Sequence, residues 1–250
     1  TEITLQNRHV SQGGAVKARV RLADSPPEGS RFVFDVLDNY GRSVYREEQH
    51  AMTEAAFTGP VNESLHLYNY ANVQLVDAQG VLLSEMRQGF YVARPNPPTD
   101  ELSIMIWEAC ASYEPALRQV LERFAQLGSD AALVGAYDGT TDTTAAEACA
   151  MANMHTVLYV TRLSAPQVGE DGVRRPTITS SDYKDPLKAT LARQAEAFRP
   201  FAPFAYSLGD DQTYVSPGQD VGWSESYRAI LADWAERHYS NIEALNEAWG

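Results

Sequence analysis

The apolar pattern of this chain changes at a short proline-rich segment, and that change constrains the fold more than any other feature. Residues 95–99 read Pro-Asn-Pro-Pro-Thr. Prolines at this density exclude helix and ladder pairing, because each one fixes φ and lacks an N–H donor. Short alternating segments precede them, and nearly continuous apolar segments that alternate with helical patterns follow. The sequence therefore predicts a β domain over residues 1–95, a stiff linker over 96–101 and an α/β domain over 102–250.

The N-terminal region carries short strands separated by turn signals. Residues 16–22 alternate apolar and basic side chains, which is typical of a half-buried strand. Residues 38–41, Asp-Asn-Tyr-Gly, mark a hairpin turn after a second strand at 32–37. Further strands are expected near 63–68, 70–77, 81–86 and 89–93. This spacing predicts an immunoglobulin-like β-sandwich, which we interpret as a structural spacer rather than a dedicated binding module.

The C-terminal region alternates strand and helix patterns. Leu102–Trp107 is almost continuously apolar, as expected of a parallel strand buried on both faces. A helix is predicted from Pro115 to a stop at Gly128, a second opens with a capping box at Thr144–Glu147, and a third opens at Pro186. Three more strands are predicted at 131–135, 156–160 and 204–208. The order β-α-β-α-β-α-β-α predicts a parallel sheet with crossover helices.

Two α/β folds compete for this pattern. A doubly wound dinucleotide fold needs a glycine-rich turn after its first strand, and residues 107–112 contain no glycine. This absence favours a TIM-type (β/α)8 barrel, of which the four βα units are half. Half a barrel leaves two sheet edges unpaired. The chain is therefore expected to be part of a longer one, or to acquire the second half from a partner or by self-association.

Two adjacent carboxylates, Asp210 and Asp211, follow the fourth predicted strand. Gly209 allows a tight turn there, and ligands bind at the carboxyl ends of parallel strands. Repulsion between neighbouring carboxylates raises the pKa of one of them, which suits a general acid. Two alternatives stay open: Asp210 caps the next segment while Asp211 is solvated, or the pair holds a divalent metal such as Mg²⁺.

Other candidate site residues lie at the predicted strand ends. Sugar sites need flat aromatic faces and fixed polar groups. The alternative for each is structural: a core position for Trp107, and an ion pair for Arg162. The aromatic candidates are Trp107, Tyr137, Tyr206 and Tyr214, and the polar candidates are Asp210 and Arg162.

Composition excludes several classes of partner. The net charge of −13 argues against nucleic acid and against an anionic membrane surface. No apolar run approaches the ~18 residues of a membrane span. Cys110, Cys149 and the scattered histidines form no zinc or redox motif, so neither metal nor cofactor is expected. The redox state of the two thiols stays open. So does the compartment, whether secreted, periplasmic or cytoplasmic, because this sequence carries no signal peptide.

The stretch from Phe204 to Gly250 resembles glycoside hydrolases of the β-galactosidase type, in family 42 and its (β/α)8-barrel relatives. These proteins carry their acid/base after a strand, then a helix with an arginine and a tryptophan, and then an alanine-leucine-asparagine-x-alanine-tryptophan-glycine run. A weaker match extends back to Leu102. The matching residues here are Tyr227-Arg228, Asp233-Trp234, Tyr239, Ala244-Leu245-Asn246 and Ala248-Trp249-Gly250.

The resemblance implies retaining hydrolysis of an O-glycosyl bond in a β-glycoside, oligosaccharide or polysaccharide, with no cofactor. The family's acid/base glutamate falls on Asp211, which is one methylene shorter, and Asp210 takes the place of an asparagine that holds a sugar hydroxyl. The nucleophile is expected on a seventh strand, and Glu108 is a poor substitute for it. We therefore expect these 250 residues alone to be inactive. The alternative is a carbohydrate-binding or scaffold protein whose acid/base has decayed.

Overall fold

The structure of the chain is a computed structural model, and it describes most of the residues. The described residues are 2–62, 65–95, 102–107, 114–136, 139–160, 167–168, 174–175, 180–208, 215–216, 219–220 and 225–250.

The N-terminal region consists of two β-sheets. One is antiparallel, with the strand order β1-β3-β6, and the other has the order β2-β8-β7-β4-β5. In the second sheet β2 runs parallel to β8, and the remaining neighbours are antiparallel. The strands are β1 (Glu2–Leu5), β2 (His9–Ser11), β3 (Ala15–Arg21), β4 (Arg31–Leu37), β5 (Ser43–His50), β6 (Glu54–Pro60), β7 (Tyr68–Val76) and β8 (Leu82–Ala93).

The two sheets share one hydrophobic core. In β3 buried and exposed positions alternate, so one face points inward. The Phe34 ring of one sheet stacks on the Phe57 ring of the other at a centroid distance of 4.9 Å. Gly59 makes the close approach possible, because a Cβ there would lie 2.3 Å from Cγ2 of Val36. The region is therefore a sandwich of three and five strands.

Several strands of this sandwich differ from the prediction, and β2 was not predicted at all. The strand expected near 63–68 is wrong at 65–67, which are not strand, while 63–64 lie outside the described residues. A strand forms instead at 54–60, which sequence reading missed. The strands expected at 81–86 and 89–93 are one continuous strand, β8. The apparent break corresponds to two adjacent polar residues, Arg87 and Gln88, which continue the ladder by pairing with Asn72 and Ala71 of β7.

The C-terminal region contains a four-stranded sheet with the order β14-β11-β10-β9. Among the described residues, five α-helices and two further pairs of very short strands accompany this sheet. The elements are β9 (Met105–Ile106), α1 (Glu114–Gln126), β10 (Ala131–Gly135), α2 (Thr144–Met151), β11 (His155–Tyr159), β12 (Gln167–Val168), β13 (Arg174–Arg175), α3 (Ser181–Phe198), β14 (Ala205–Ser207), β15 (Val215–Ser216), β16 (Gln219–Asp220), α4 (Glu225–His238) and α5 (Ile242–Trp249).

Hydrogen bonds show that the sheet is parallel. β9 and β10 pair in parallel register. The first residue of β11, His155, bonds to the carbonyl of Asp130 just before β10, and the amide of Ala136 just after β10 bonds to Tyr159 at the end of β11. The N-terminal ends of β10 and β11 therefore lie side by side, and so do their C-terminal ends, which is the parallel arrangement. The chain thus follows the predicted order of parallel strands linked by helices.

The two outer strands differ from the prediction of burial on both faces. β9 spans only two residues, and Leu102 ahead of it is 89% exposed. In β14 both Ala205 and Tyr206 are exposed. Within the described part of the chain each of these strands pairs on one side only. The apolar runs were read correctly as strands of this sheet, but they form its edges.

The helix ends are set by local chemistry that is only partly predictable. α1 ends two residues before Gly128, whose φ of 94° needs glycine. The capping box expected at Thr144–Glu147 does not form, because the Glu147 carboxylate instead accepts hydrogen bonds from Thr143 and from Tyr91 of β8. α3 begins five residues before Pro186, after Ser180, whose Oγ accepts a bond from the Tyr183 amide.

The chain divides into two compact units. The first comprises Thr1–Gly135, Thr141–Leu158 and Glu196–Tyr206, and the second comprises Ala136–Thr140, Tyr159–Ala195 and Ser207–Gly250. The predicted linker, 96–101, lies outside the described residues, so the division into 1–95 and 102–250 stays a prediction. Among the described helices, none is long and apolar enough to cross a membrane.

Candidate functional site

The carboxyl ends of the parallel strands lie together at one end of the sheet. The predicted site residues lie within these strands or follow them in sequence. Trp107 comes directly after β9, and Tyr206 lies within β14. Their side chains are 47% and 43% exposed, so neither is a core residue. Both side chains are therefore partly accessible to solvent, and their roles in a sugar site stay predictions.

The structure does not bring these two aromatic residues together. β9 and β14 lie at opposite edges of the sheet, separated by β10 and β11. Three strand spacings of about 4.8 Å place the two strands about 14 Å apart. A single pyranose ring cannot contact both Trp107 and Tyr206, whereas an extended oligosaccharide could.

The other predicted site residues lie outside the described residues. They are Tyr137, Arg162, Asp210, Asp211 and Tyr214, together with the candidate nucleophile Glu108. Their roles stay predictions, supported by their places in the sequence after parallel strands.

Gln194 of α3 is a residue at this end of the sheet that the sequence reading missed. Its side chain is fully buried, and its Nε2 donates to the carbonyl of Ala136, directly after β10. The bond ties the C-terminal part of α3 to the residue that directly follows β10. The signal was present in the sequence, because Gln194 lies on the helix face that also carries Leu187 and Leu191. A lone polar residue on an apolar stripe indicates a buried hydrogen bond.

Three of the residues that carry the family resemblance, Trp234, Tyr239 and Trp249, contact one another in and between α4 and α5. The Trp249 indole N–H donates to the Tyr239 hydroxyl over 2.9 Å. Trp234 stacks on His238 at a centroid distance of 4.3 Å. The Asn241 side chain caps α5 by accepting from the Ala244 amide. These positions therefore have structural roles, which explains the residue types without requiring that any of them contacts substrate.

Thiol and metal chemistry have little support among the described residues. Cys149 is a free thiol, and burial raises its pKa to about 12, so it is not a nucleophile at neutral pH. Cys110 lies outside the described residues. Within the described part of the chain, no group of three or more His, Cys, Asp or Glu side chains could hold a metal ion.

A pH-sensitive contact within the first unit joins the sandwich to Phe201, in the segment between α3 and β14. His9 of β2 stacks on Tyr91 at 5.0 Å and meets the edge of Phe201 at 5.1 Å. Burial lowers the pKa of His9, and the neighbouring Arg8 lowers it further. Burial also lowers the pKa values of His66 and His155. All three rings are therefore favoured in their neutral form by folding.

The free energy of unfolding is expected to fall as the pH drops below about 6.5, the ordinary histidine pKa. Because the folded-state pKa values are lowered, the unfolded chain binds protons first, and each such histidine contributes a slope of up to about 1.4 kcal/mol per pH unit. Urea titrations at pH 7.5 and 5.5, followed by far-ultraviolet circular dichroism, measure this slope. His9→Phe keeps an aromatic ring and should reduce the slope, whereas the exposed His50→Gln should not. An unchanged slope in His9→Phe would contradict the assignment.

Comparisons with known proteins place similar structures among glycoside hydrolases. No protein-family model and no curated protein matches the sequence. A Parabacteroides merdae β-glucuronidase with glycerol in its active site is 12% identical, with a TM-score of 0.42, over 95% of this chain and 32% of its own. Bacteroides uniformis β-glucuronidase 3 is 13% identical, with a TM-score of 0.37, over 94% and 31%. A family 39 glycoside hydrolase from Bacteroides cellulosilyticus is 12% identical, with a TM-score of 0.34, over 88% and 46%.

This chain spans about a third of the length of the two β-glucuronidases and less than half of the family 39 enzyme. These three structures are glycoside hydrolases, and none of the three is described as a family 42 enzyme. At these identities the likeness describes neither the substrate nor the catalytic residues of this chain.

Proposed function

We propose that this chain is a glycoside hydrolase of the retaining, β-galactosidase type. One observation carries the proposal: β14 pairs in parallel with β11 and leads directly into Gly209-Asp210-Asp211. The amide of Phe204 before β14 bonds to Thr156 near the start of β11, and Ser207 at its end bonds to Val160 just after β11. The acidic pair therefore follows the carboxyl end of a parallel strand, where barrel enzymes build their sites.

In this proposal each candidate residue has a role. Asp211 protonates the leaving oxygen and later deprotonates the attacking water, and Asp210 accepts a hydrogen bond from a sugar hydroxyl. Trp107 and Tyr206 offer aromatic faces at the two sides of the sheet. Tyr137, Tyr214 and Arg162 complete the site. The nucleophile lies outside the four βα units, so the proposal assigns none of these residues to that role.

The architecture in this proposal is an immunoglobulin-like sandwich joined to half of a (β/α)8 barrel. The strand order β1-β3-β6 against β2-β8-β7-β4-β5, with β2 parallel to β8, supports the first part. The sequential order of four parallel strands, with both outer strands exposed, supports the second. The other half would come from more of the same protein or from a second copy.

Binding of a β-galactoside oligosaccharide tests the proposed site without requiring turnover. Trp107→Ala is expected to raise Kd about tenfold, because a lost aromatic contact is worth about 0.5–1.5 kcal/mol beyond its buried area. Isothermal titration calorimetry measures the change. Tyr206→Ala should raise the Kd for the oligosaccharide as well, but the Kd for galactose alone should change in at most one of the two variants.

The matched control is Tyr40→Ala, which removes an exposed aromatic ring from the sandwich. It should leave the Kd for the oligosaccharide unchanged. Equal affinity of Trp107→Ala, Tyr206→Ala and the parent protein would remove the strand ends as the sugar site.

A further inference from the structure

A cleft lies at the amino ends of the parallel strands, opposite the end of the sheet that carries the proposed sugar site. Its volume is about 570 Å³. Its walls come from the Asn39–Tyr40 turn and Arg94 of the sandwich, from α1 with the segment that leads into β10, and from the end of α2 with the start of β11. Because these segments precede β10 and β11, the cleft faces the amino ends of the strands. It is separate from the proposed sugar site at the carboxyl ends.

The walls of this cleft are fixed by direct hydrogen bonds between the sandwich and the βα elements of the same compact unit. Nδ2 of Asn39 donates to the carbonyl of Met151 over 2.8 Å. Oδ1 of Asn153 accepts from the amide of Leu67 over 3.0 Å. Asn153 has a φ of 59°, a left-handed conformation that asparagine tolerates better than most residues. The cleft is therefore formed before any ligand binds.

Among the described residues, one cation that lines the cleft has no carboxylate partner. Arg118 pairs with Glu122 over 2.8 Å. The Asp130 carboxylate accepts a hydrogen bond from the amide of Ile104. Arg94 is half-buried, and among the described residues no carboxylate lies within ion-pair distance of it. A partly desolvated guanidinium without a counter-ion is unfavourable unless an anion binds to it.

The neighbouring histidine is consistent with this uncompensated charge. His155 lines the cleft, and its Nδ1 is buried without a hydrogen-bond partner. Burial lowers the pKa of His155, and the charge of Arg94 lowers it further. Burial also lowers the pKa of Arg94 itself. An anion beside Arg94 would offset the electrostatic cost that both groups bear.

We propose that this cleft binds one small oxyanion, a phosphate or carboxylate group, held by the guanidinium of Arg94. The planar fork of arginine matches both groups with two parallel hydrogen bonds. Ser129 and Asn153 line the same cleft and carry neutral donors. The chain's net charge of −13 disfavours non-specific anion binding, so a saturable site must depend on local geometry. This site is independent of the proposed glycosidase activity.

Calorimetric titration and thermal unfolding with inorganic phosphate and with acetate test the proposal. Ionic strength is held constant with potassium chloride. Saturable binding is expected for at least one of the two anions, with a rise in Tm that follows ligand concentration. The anion that binds more tightly identifies the group as phosphate or carboxylate. Absence of saturable binding by both anions overturns the proposal.

Three variants locate the binding. Arg94→Gln should weaken the anion at least tenfold, and Arg123→Gln, an equal charge change at an exposed position on α1, should not. Asn153→Asp keeps an acceptor for the Leu67 amide while adding a negative charge to the wall, so it should also weaken binding and serves if Arg94→Gln fails to fold. Unchanged affinity in a folded Arg94→Gln or in Asn153→Asp overturns the proposal.

Discussion

Replacing Asp211 with alanine is expected to lower kcat/KM for a β-galactoside with a poor leaving group by about 100- to 10 000-fold, the usual contribution of a general acid. The assay uses a preparation that shows glycosidase activity, because the proposal assigns the nucleophile to none of the candidate residues. The loss should shrink for a 2,4-dinitrophenyl galactoside, since that leaving group departs without protonation. Added azide should then restore turnover and give a β-galactosyl azide, the product of a retaining enzyme.

The comparison variant for this experiment is Asp210→Ala. It removes the neighbouring carboxylate, which is proposed to hold a sugar hydroxyl. It should therefore weaken substrate binding by the same factor for both leaving groups. If Asp211→Ala hydrolyses both substrates at the parent rate, Asp211 is not the acid/base. If the leaving-group dependence follows Asp210→Ala instead, the two assignments must be exchanged.

Asp211→Glu separates an enzyme from a decayed carbohydrate-binding protein. The family resemblance puts a glutamate at this position, and a carboxyl misplaced by about 1 Å can cost about 100-fold in rate. In an enzyme the longer side chain should therefore retain or raise activity. In a decayed protein it should give none, while sugar binding persists.

The parts of the fold that depend on local sequence were predictable. β10 was predicted at 131–135 and forms there, because an apolar run in the middle of a parallel sheet is buried by both of its neighbours. The end of α1 was placed correctly by Gly128, whose positive φ is a local requirement. The alternation in β3 likewise predicted a half-buried strand.

The parts that depend on distant partners were not predictable. The apolar runs at 102–107 and 204–208 resemble β10 in sequence. An apolar run does not predict whether the strand has one neighbouring strand or two. The capping box at Thr144 failed because Glu147 meets a tyrosine 56 residues away in the chain. β6 was missed because its residues pair with β3, and its exposed positions resemble a loop.

The same distinction applies to the functional sites. The acidic pair at 210–211 could be found because both residues are adjacent in sequence. Arg94 could not be recognised from the sequence as a cation without a carboxylate partner among the described residues, because that property depends on which acids of α1 already have partners. Gln194 was detectable in principle from its position on a helix face, but its acceptor at Ala136 requires the fold.

The largest stability effect is expected in the sandwich core, from Phe34→Ala. Phe34 is fully buried on β4 and stacks on Phe57, so the truncation removes apolar contacts from both sheets. Phenylalanine-to-alanine changes in cores cost about 3–5 kcal/mol. That is a large fraction of the 5–15 kcal/mol that stabilises an ordinary domain. Urea unfolding followed by far-ultraviolet circular dichroism measures the loss.

The matched control for this loss is Leu83→Ala on β8, which removes an apolar side chain that is 44% exposed and should cost less than about 0.5 kcal/mol. A cost below about 1 kcal/mol for Phe34→Ala would contradict the shared core.

Phe34→Ala also tests the contact between the sandwich and the first βα elements. The sandwich is hydrogen-bonded to α2 through Tyr91 with Glu147 and through Asn39 with Met151. One wall of the anion cleft therefore comes from the sandwich and the other from the βα elements. Anion binding at Arg94 should therefore be lost at a lower urea concentration in Phe34→Ala than in the parent protein, and at an unchanged concentration in Leu83→Ala.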